Sequence, residues 1–202
     1  MTTCTEGQEF FQEKDGIVIV EAEAFHSQER DDVRKWYIQK DMADAYTMRD
    51  IDSSHHHSAS GGAYLEILPD TRTNHDEKLI KGENFINEPG QIGVLHYQVQ
   101  FENTGRYYVW VRAYSTGTED NGIHVGIDGT WPESGQRMQW CEGKHQWTWE
   151  SKQRTKEEHC GVPRLIYLEI DQPGKHTISF SMREDGFEID QWMMSKEYSQ
   201  PD

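Results

Sequence analysis

The sequence lacks an apolar run near the roughly 20 residues that a membrane-spanning helix needs, and its first residues lack the basic and apolar regions of a signal peptide. It is also poor in basic residues, because 20 Lys and Arg stand against 36 Asp and Glu for a formal net charge of -16. This charge repels phosphates and anionic lipid, so neither nucleic acid nor a membrane is an expected partner. Divalent cations are compatible with it.

Cysteine is scarce, with three residues and no CxxC pair, so a zinc site is not expected. Cys141 and Cys160 stand on either side of a strand-like segment. They either form a disulfide or remain free thiols, and the sequence alone favours neither. Cys4 is left without a partner in this chain if the other two pair.

Helical periodicity is almost absent, whereas short segments rich in β-branched and aromatic residues recur between turn residues. The pattern predicts a single all-β domain over 1–202, with 1–15 as a linker or tail. About ten antiparallel strands in two sheets, a jelly-roll β-sandwich, suit this length. The predicted strands are 17–24, 63–68, 93–101, 106–113, 122–128, 137–141, 146–151, 164–171, 175–182 and 187–194.

Two stretches, Phe25 to Gly62 and Pro69 to Gln91, resist a strand interpretation and are predicted to be long loops. Long loops on a β scaffold commonly carry recognition. The first contains His55, His56 and His57, whose residue type suggests a transition metal. Neighbouring side chains of an extended segment point in alternate directions, so a polar loop is favoured over a metal site there.

Two glutamates, Glu21 and Glu23, fall on one face of the first predicted strand because side chains alternate along a strand. Two adjacent like charges fit a hard divalent cation such as calcium, which takes several oxygen ligands. The alternative is a strand end that emerges into solvent, and the spacing alone favours this alternative over a metal site.

Four segments resemble, in type and order, the landmarks of family 6 carbohydrate-binding modules: 21–23, 105–113, 173–178 and 187–192. The stretch from Arg106 to Trp149 is also similar to the C-terminal domain of some large glycoside hydrolases. This resemblance implies a jelly roll with a structural calcium ion on Glu21, Glu23 and Asp190. The ion would tie the first strand to the last.

In such modules sugar binds chiefly against exposed aromatic rings, because the apolar face of a pyranose stacks on a flat ring while polar groups read its hydroxyls. The resemblance assigns Trp147 as this platform and Trp149 as a core residue. Both share a face of a regular strand, so both belong to the core unless a bulge separates them. Trp131, which follows a turn, is a comparable candidate.

Polar ligand contacts are expected from turn residues beside these rings, and Trp36 in the first long loop either builds a second wall or packs in the core. The polar candidates are Glu119, Asp120, Asn121, Lys144 and Asp185.

The resulting expectation is a secreted, non-catalytic module that binds a polysaccharide or oligosaccharide and targets a parent catalytic domain in the same chain. The export signal would then lie upstream of Met1. The acidic charge favours a neutral glycan, and a neutral algal galactan such as agarose is the expected ligand. The alternatives are a polysaccharide hydrolase or lyase on the same scaffold, and a protein-interaction or adhesion module.

Overall fold

The computed structural model describes residues 10–40, 50 and 52–202, and these form fifteen strands. The first eight are β1 (Phe11–Gln12), β2 (Ile17–Glu21), β3 (Ser27–Glu29), β4 (Lys35–Gln39), β5 (Tyr64–Leu68), β6 (Val94–Phe101), β7 (Gly105–Tyr114) and β8 (Gly122–Ile127). The others are β9 (Met138–Gln139), β10 (Thr148–Glu150), β11 (Lys152–Gln153), β12 (Val162–Pro163), β13 (Tyr167–Ile170), β14 (Gly174–Met182) and β15 (Glu188–Ser195).

Helical structure in the described ranges is limited to short 3-10 turns, which span Ala22–Ala24, His56–Ser58, Ser60–Gly62 and Glu133–Gly135. None of the described helical segments is long and apolar enough to cross a membrane.

The strands form two sheets, which confirms the predicted β-sandwich. An eight-stranded sheet has the order β1-β6-β14-β8-β9-β11-β12, with β3 also paired to β6. A seven-stranded sheet has the order β10-β7-β15-β5-β4, with β13 on β7 and β2 on β15. The pairings are antiparallel except for that of β1 with β6, which is parallel. Each of the ten predicted strands has a counterpart among these.

The core lies between the sheets and is filled by alternate residues of their central strands. On β6, Tyr97, Val99 and Phe101 are fully buried, while the residues between them are half-buried. The hydroxyl of Tyr97 donates a hydrogen bond to the carbonyl of Ala22 at 2.6 Å, so this phenol does not lack a partner in the apolar interior.

The predicted tail over 1–15 is wrong for its described part, because β1 belongs to the eight-stranded sheet. Glu13 is fully buried. Its carboxylate accepts hydrogen bonds from the backbone N–H groups of Gly16, Glu102 and Asn103. A buried carboxylate satisfied in this way fixes the start of the domain against the β6–β7 turn.

The predicted loop over 25–62 is also wrong in part, because β3 pairs with β6 and β4 pairs with β5. Trp36 on β4 is 1% exposed, and its indole N–H donates to the carbonyl of Gly93 at 2.7 Å. Gly93 has a φ of 53°, and a Cβ there would lie 2.4 Å from Ile67, so glycine is required for this close approach. The other predicted loop, 69–91, carries only isolated bridges.

Cys141 and Cys160 form a disulfide with a Cα–Cα distance of 5.4 Å and a sequence separation of 19 residues. This settles the alternative that the sequence left open for the pair. The bridge closes the segment that contains β10 and β11, so the Trp147 region is anchored at both ends.

Replacement of both bridged cysteines by serine is expected to lower the free energy of unfolding by about 2–4 kcal/mol, because an unfolded chain without the bridge has more conformational entropy. Chemical denaturation of the wild type and the double variant measures this difference. Reductant should destabilise the wild type alone, and an equal effect on both proteins would contradict the assignment.

Candidate functional site

The face of the seven-stranded sheet that points away from the core is rich in aromatic side chains. On β7, alternate residues starting at Tyr107 enter the core, so the residues between them lie on the outer face. Those outer residues are Tyr108, Trp110, Arg112 and Tyr114. On β5, Leu65 and Ile67 enter the core, which leaves Tyr64 and Glu66 on the outer side.

A β-bulge in β15 brings two acidic side chains to this side of the sheet. Ile189 pairs with Ala113 and Gln191 pairs with Arg112, so Asp190 is the extra residue. Ile189 and Trp192 both enter the core although three positions separate them, an odd separation that a regular strand does not allow. The bulge therefore lets Glu188 and Asp190 leave the core while their neighbours remain in it.

Trp147 is half-buried in a cluster of rings on the outer face. Its ring is edge-on to Tyr64 at 5.2 Å and to Tyr114 at 5.4 Å between centroids. His55 stacks on Tyr114 at 3.6 Å, and the Arg112 guanidinium lies 5.7 Å from the Trp147 centroid. We call these four aromatic residues, Trp147, Tyr64, Tyr114 and His55, the platform.

The segment that presents Trp147 is fixed locally. Its indole N–H donates to the hydroxyl of Ser58 at 3.2 Å, and β10 begins directly after it, with Thr148 paired to Ala113. Gly143 has a φ of 67°, and a Cβ there would lie 2.4 Å from the Thr148 side chain. This turn therefore needs glycine, and it directs Trp147 towards Tyr114.

Beside the platform lies an acid cluster of five residues: Asp50, Asp52, His55, Glu66 and Glu188. Glu66 and Glu188 are each 1% exposed and directly opposite each other on β5 and β15. His55 Nδ1 lies 2.9 Å from both Glu188 carboxylate oxygens. Ligand atoms of Asp52, His55 and Glu188 lie within 4.8 Å of one another, as do those of Asp50, Asp52 and Glu66.

The electrostatics of the acid cluster follow from burial of like charges. Burial, with the nearby Asp50 and Asp52, raises the pKa of Glu66 well above its usual value. Burial, followed by the charge of Glu66, raises the pKa of Glu188 well above its usual value. Burial and the charge of Asp52 raise the pKa of Asp50 to about 6. Two chemical uses fit such a cluster: it can bind a cation, or it can impose a negative potential on the platform.

Glu21 and Asp190 meet at the turn that contains Ser60, and Glu23 lies near both. Ser60 donates its N–H to Asp190 at 2.8 Å and its hydroxyl to Glu21 at 2.9 Å. Burial, with the charges of Glu21 and Asp190, raises the pKa of Glu23 to about 7. One buried oxygen of Glu21 and one of Glu23 have no hydrogen-bond partner among the described residues, whereas Asp190 also pairs with Arg112.

The two glutamates converge by a different route from the one predicted. β2 ends at Glu21, and Glu23 lies in the 3-10 turn Ala22–Ala24. The predicted strand over 17–24 is therefore too long. Ile17 is exposed and Val18 is buried, so the face that leads to Glu21 is the one that points away from the core.

Several predicted ligand contacts are structural instead. Asp120 is buried and accepts hydrogen bonds from the Ser115 hydroxyl and from the Thr116 and Gly117 N–H groups. Asn121 and Asp185 are also buried, as is Trp36. Because their polar atoms bond to other groups of the protein, they are not available to a surface ligand. Asn121 is bonded to Gln139, and Asp185 to Arg34 and Thr71.

The remaining candidates lie nearer the surface. Glu119 forms an ion pair with Arg72. Lys144 is half-buried, with its Nζ 3.5 Å from the Ser115 hydroxyl, and it shares a loop with Trp147. Trp131 lies against the eight-stranded sheet, because a Cβ on Gly126 of β8 would meet its ring at 2.8 Å. Of these three, only Lys144 is close in sequence to the platform.

Trp149 is not a core residue, which corrects the prediction for it. It is half-buried on the outer face, paired with Arg112 across β10 and β7. With Trp110 and Tyr198 it lines a cavity of about 570 Å³. The polar lining includes Glu142, Glu150 and Lys152.

Sequence reasoning missed Tyr64, Tyr114 and Trp110 as site residues. Tyr64 and Trp110 lie within predicted strands, and Tyr114 lies one residue beyond the predicted end of β7. Which alternate residues face outwards depends on which set enters the core. The alternation of Val109 and Val111 with Trp110 and Arg112 was the available signal.

The fold and site define a β-sandwich domain with an aromatic outer face. The sequence profile of the glycosyl hydrolase family 115 C-terminal domain matches residues 50–201, and the chain belongs to this family. The match confirms the resemblance to the C-terminal domain of large glycoside hydrolases.

The chain is also similar to individual proteins. Uncharacterized protein P23 of Formosa agariphila is 57% identical over 185 residues, which cover 92% of this chain and 45% of that protein. The chain thus spans less than half the length of this curated relative.

Among solved structures, a family 35 carbohydrate-binding module from Clostridium thermocellum has 14% identity and a TM-score of 0.49, over 88% of this chain and 96% of that one. The C-terminal family 6 module of LamC, a marine laminarinase from Zobellia galactanivorans, has 12% identity and a TM-score of 0.46, over 89% and 99% of the two chains.

We expect the metal-free wild type to lose thermal stability as the pH rises from 5 to 8. The pKa of Glu66 is higher in the folded state than in the unfolded state. Its contribution to the stability of the fold is therefore complete at a pH below the unfolded-state pKa and is lost as the pH rises towards the folded-state pKa. Glu66→Gln should reduce this dependence and raise the melting temperature at pH 8. Melting curves recorded with chelator between pH 5 and 8 measure this pH dependence. The substitution Glu88→Gln, at an exposed glutamate, is the control. Equal slopes in wild type and Glu66→Gln would contradict the prediction.

Proposed function

We propose that this domain is a non-catalytic carbohydrate-binding module that holds a polysaccharide against Trp147, the ring of the platform that is packed on the buried Tyr64 and Tyr114. The observation that carries the proposal is the half-buried Trp147, held edge-on by Tyr64 and Tyr114 on the outer face of a rigid sheet. Such a ring offers an apolar surface to the C–H face of a pyranose. Arg112 and Ser58 contact it, and Lys144 lies in the same loop. These side chains are suited to hydrogen bonds with hydroxyl groups.

The ligand that we propose is a neutral polysaccharide, with an agarose-like algal galactan as the first candidate. The acid cluster lies beside the platform, and His55 belongs to both. A uronic acid or sulfate group brought to Trp147 would add a further negative charge beside this cluster, where burial and like charges already raise the pKa of Glu66 and Glu188. The overall charge of -16 acts in the same direction.

A structural calcium ion on Glu21, Glu23 and Asp190 is part of the proposal. The two unpartnered buried oxygens of Glu21 and Glu23 are hard ligands of the type that calcium prefers. The ion would join β2 to the bulge of β15, which already pairs with β2. Its role is to stabilise the sheet that carries the platform, since it neutralises charges that burial makes costly.

The domain is proposed to act as one part of a larger secreted enzyme. The chain covers only 45% of its curated relative, and its disulfide suits an oxidising compartment. Attachment to a catalytic domain would raise the local concentration of the enzyme on its substrate.

Trp147→Ala should weaken binding to agarose by at least about tenfold, because the stacking surface is lost. Native gel electrophoresis with agarose, xylan, β-glucan or alginate in the gel measures retardation of each variant. The melting temperature should change little, since Trp147 is half-buried rather than part of the core.

Trp131→Ala is the matched control, because it removes an equally large half-buried ring from the opposite sheet and should leave retardation unchanged. Unimpaired retardation of Trp147→Ala would contradict the platform. Release of reducing sugar or unsaturated product by the purified domain would contradict a non-catalytic role, and Glu188→Gln would then test the acid cluster as its origin.

Chelation should lower the melting temperature of the wild type, and added calcium should restore it, because an ion that binds only the folded state stabilises it. Glu21→Gln and Glu23→Gln should each lose this response. Calorimetry with EDTA and then with calcium measures it. A calcium response that persists in both variants would place the ion elsewhere.

A further inference from the structure

A second ring-lined surface lies next to the platform on the same face of the seven-stranded sheet. Trp110, Trp149 and Tyr198 line the cavity of about 570 Å³, within the range of cavities that bind small ligands. Trp110 and Tyr198 have their ring centroids 4.8 Å apart. Trp149 is half-buried and Trp110 is 4% exposed, so Trp110 forms the deeper part of the lining.

The chemistry of this cavity suits a sugar better than a purely apolar group. The indole N–H of Trp110 is buried and has no hydrogen-bond partner in the described ranges, although buried donors nearly always have one. Lys152 and Glu150 line the cavity as an ion pair with a distance of 2.8 Å, and Glu142 adds a carboxylate. The side chains of Glu142, Glu150 and Lys152 can bond to hydroxyls around a stacked ring.

The cavity and the platform are continuous through β7. Trp110, Arg112 and Tyr114 succeed one another on its outer face, and Trp110 and Tyr114 are about 14 Å apart along the strand. Arg112 joins the two surfaces, because its guanidinium lies over Trp147 and Trp149 is its register partner on β10.

We infer that this cavity is a second sugar-binding subsite, and that the domain therefore binds an internal stretch of polysaccharide laid along β7 from Trp147 to Trp110. The inference rests on the proposed function and adds to it the mode of binding. A chain end held at one ring would need the platform alone, whereas a chain that follows β7 contacts Trp147, Arg112 and Trp149 in turn.

The test measures the affinity of agarose-derived disaccharide and hexasaccharide by calorimetry, for wild type, Trp147→Ala and Trp149→Ala. The wild type should bind the hexasaccharide at least about tenfold more tightly, because the disaccharide cannot reach both surfaces. Trp149→Ala should weaken hexasaccharide binding at least about fivefold and leave disaccharide binding unchanged. Trp147→Ala should weaken both.

Trp149→Phe keeps a ring in the cavity and should retain most of the affinity, and melting curves establish that each variant folds. Equal hexasaccharide affinity of Trp149→Ala and wild type would overturn the second subsite while the proposed function stands. Equal wild-type affinity for the two oligosaccharides would overturn it as well. Absence of binding to agarose, xylan and β-glucan, and to both oligosaccharides, would overturn the proposed function together with the inference.

Discussion

The bulge at Asp190 in β15 is the constraint on which both candidate sites depend. β15 pairs with β7 on one side and with β2 and β5 on the other. One extra residue shifts its alternation, so that Ile189 and Trp192 both fill the core. Glu188 therefore reaches the acid cluster while Asp190 reaches Arg112 and Ser60. In a regular strand Glu188, Asp190 and Trp192 would share one face, so either both carboxylates would be buried in the core or Trp192 would be expelled from it.

The outer face of the seven-stranded sheet combines two properties that oppose each other energetically. Aromatic side chains gain by partial burial, whereas Glu66 and Glu188 are buried opposite one another at a cost in desolvation and repulsion. Raised pKa values are the consequence of this arrangement. Perturbed carboxylates beside a half-buried indole such as Trp147 are typical of functional surfaces, because packing alone gives no reason to keep them.

The strands and the disulfide candidates could be predicted from the sequence because they depend on local signals, namely alternation, turn residues and cysteine spacing. β3 could not, because Ser27–Glu29 is a polar segment that becomes a strand only by pairing with β6. β4 was missed although Trp36, Tyr37 and Ile38 at its centre are residues that favour strands. The polar candidates failed for a related reason. Asn121 and Asp185 lie in turn-like sequence, but their partners come from distant segments. Asp120 is held instead by the nearby Ser115, Thr116 and Gly117.

The sequence by itself determined the all-β class and the acidic character, and its family resemblance marked Glu21, Glu23, Asp190 and Trp147 as the residues to examine. Only the tertiary structure decided which rings share a surface, because the facing of Tyr64, Tyr114 and Trp149 depends on strand register and on which alternate set fills the core. It also joined His55 to Glu188 across 133 positions of sequence. Local patterns specify strands, but contacts between distant segments arise only when the sheets pack.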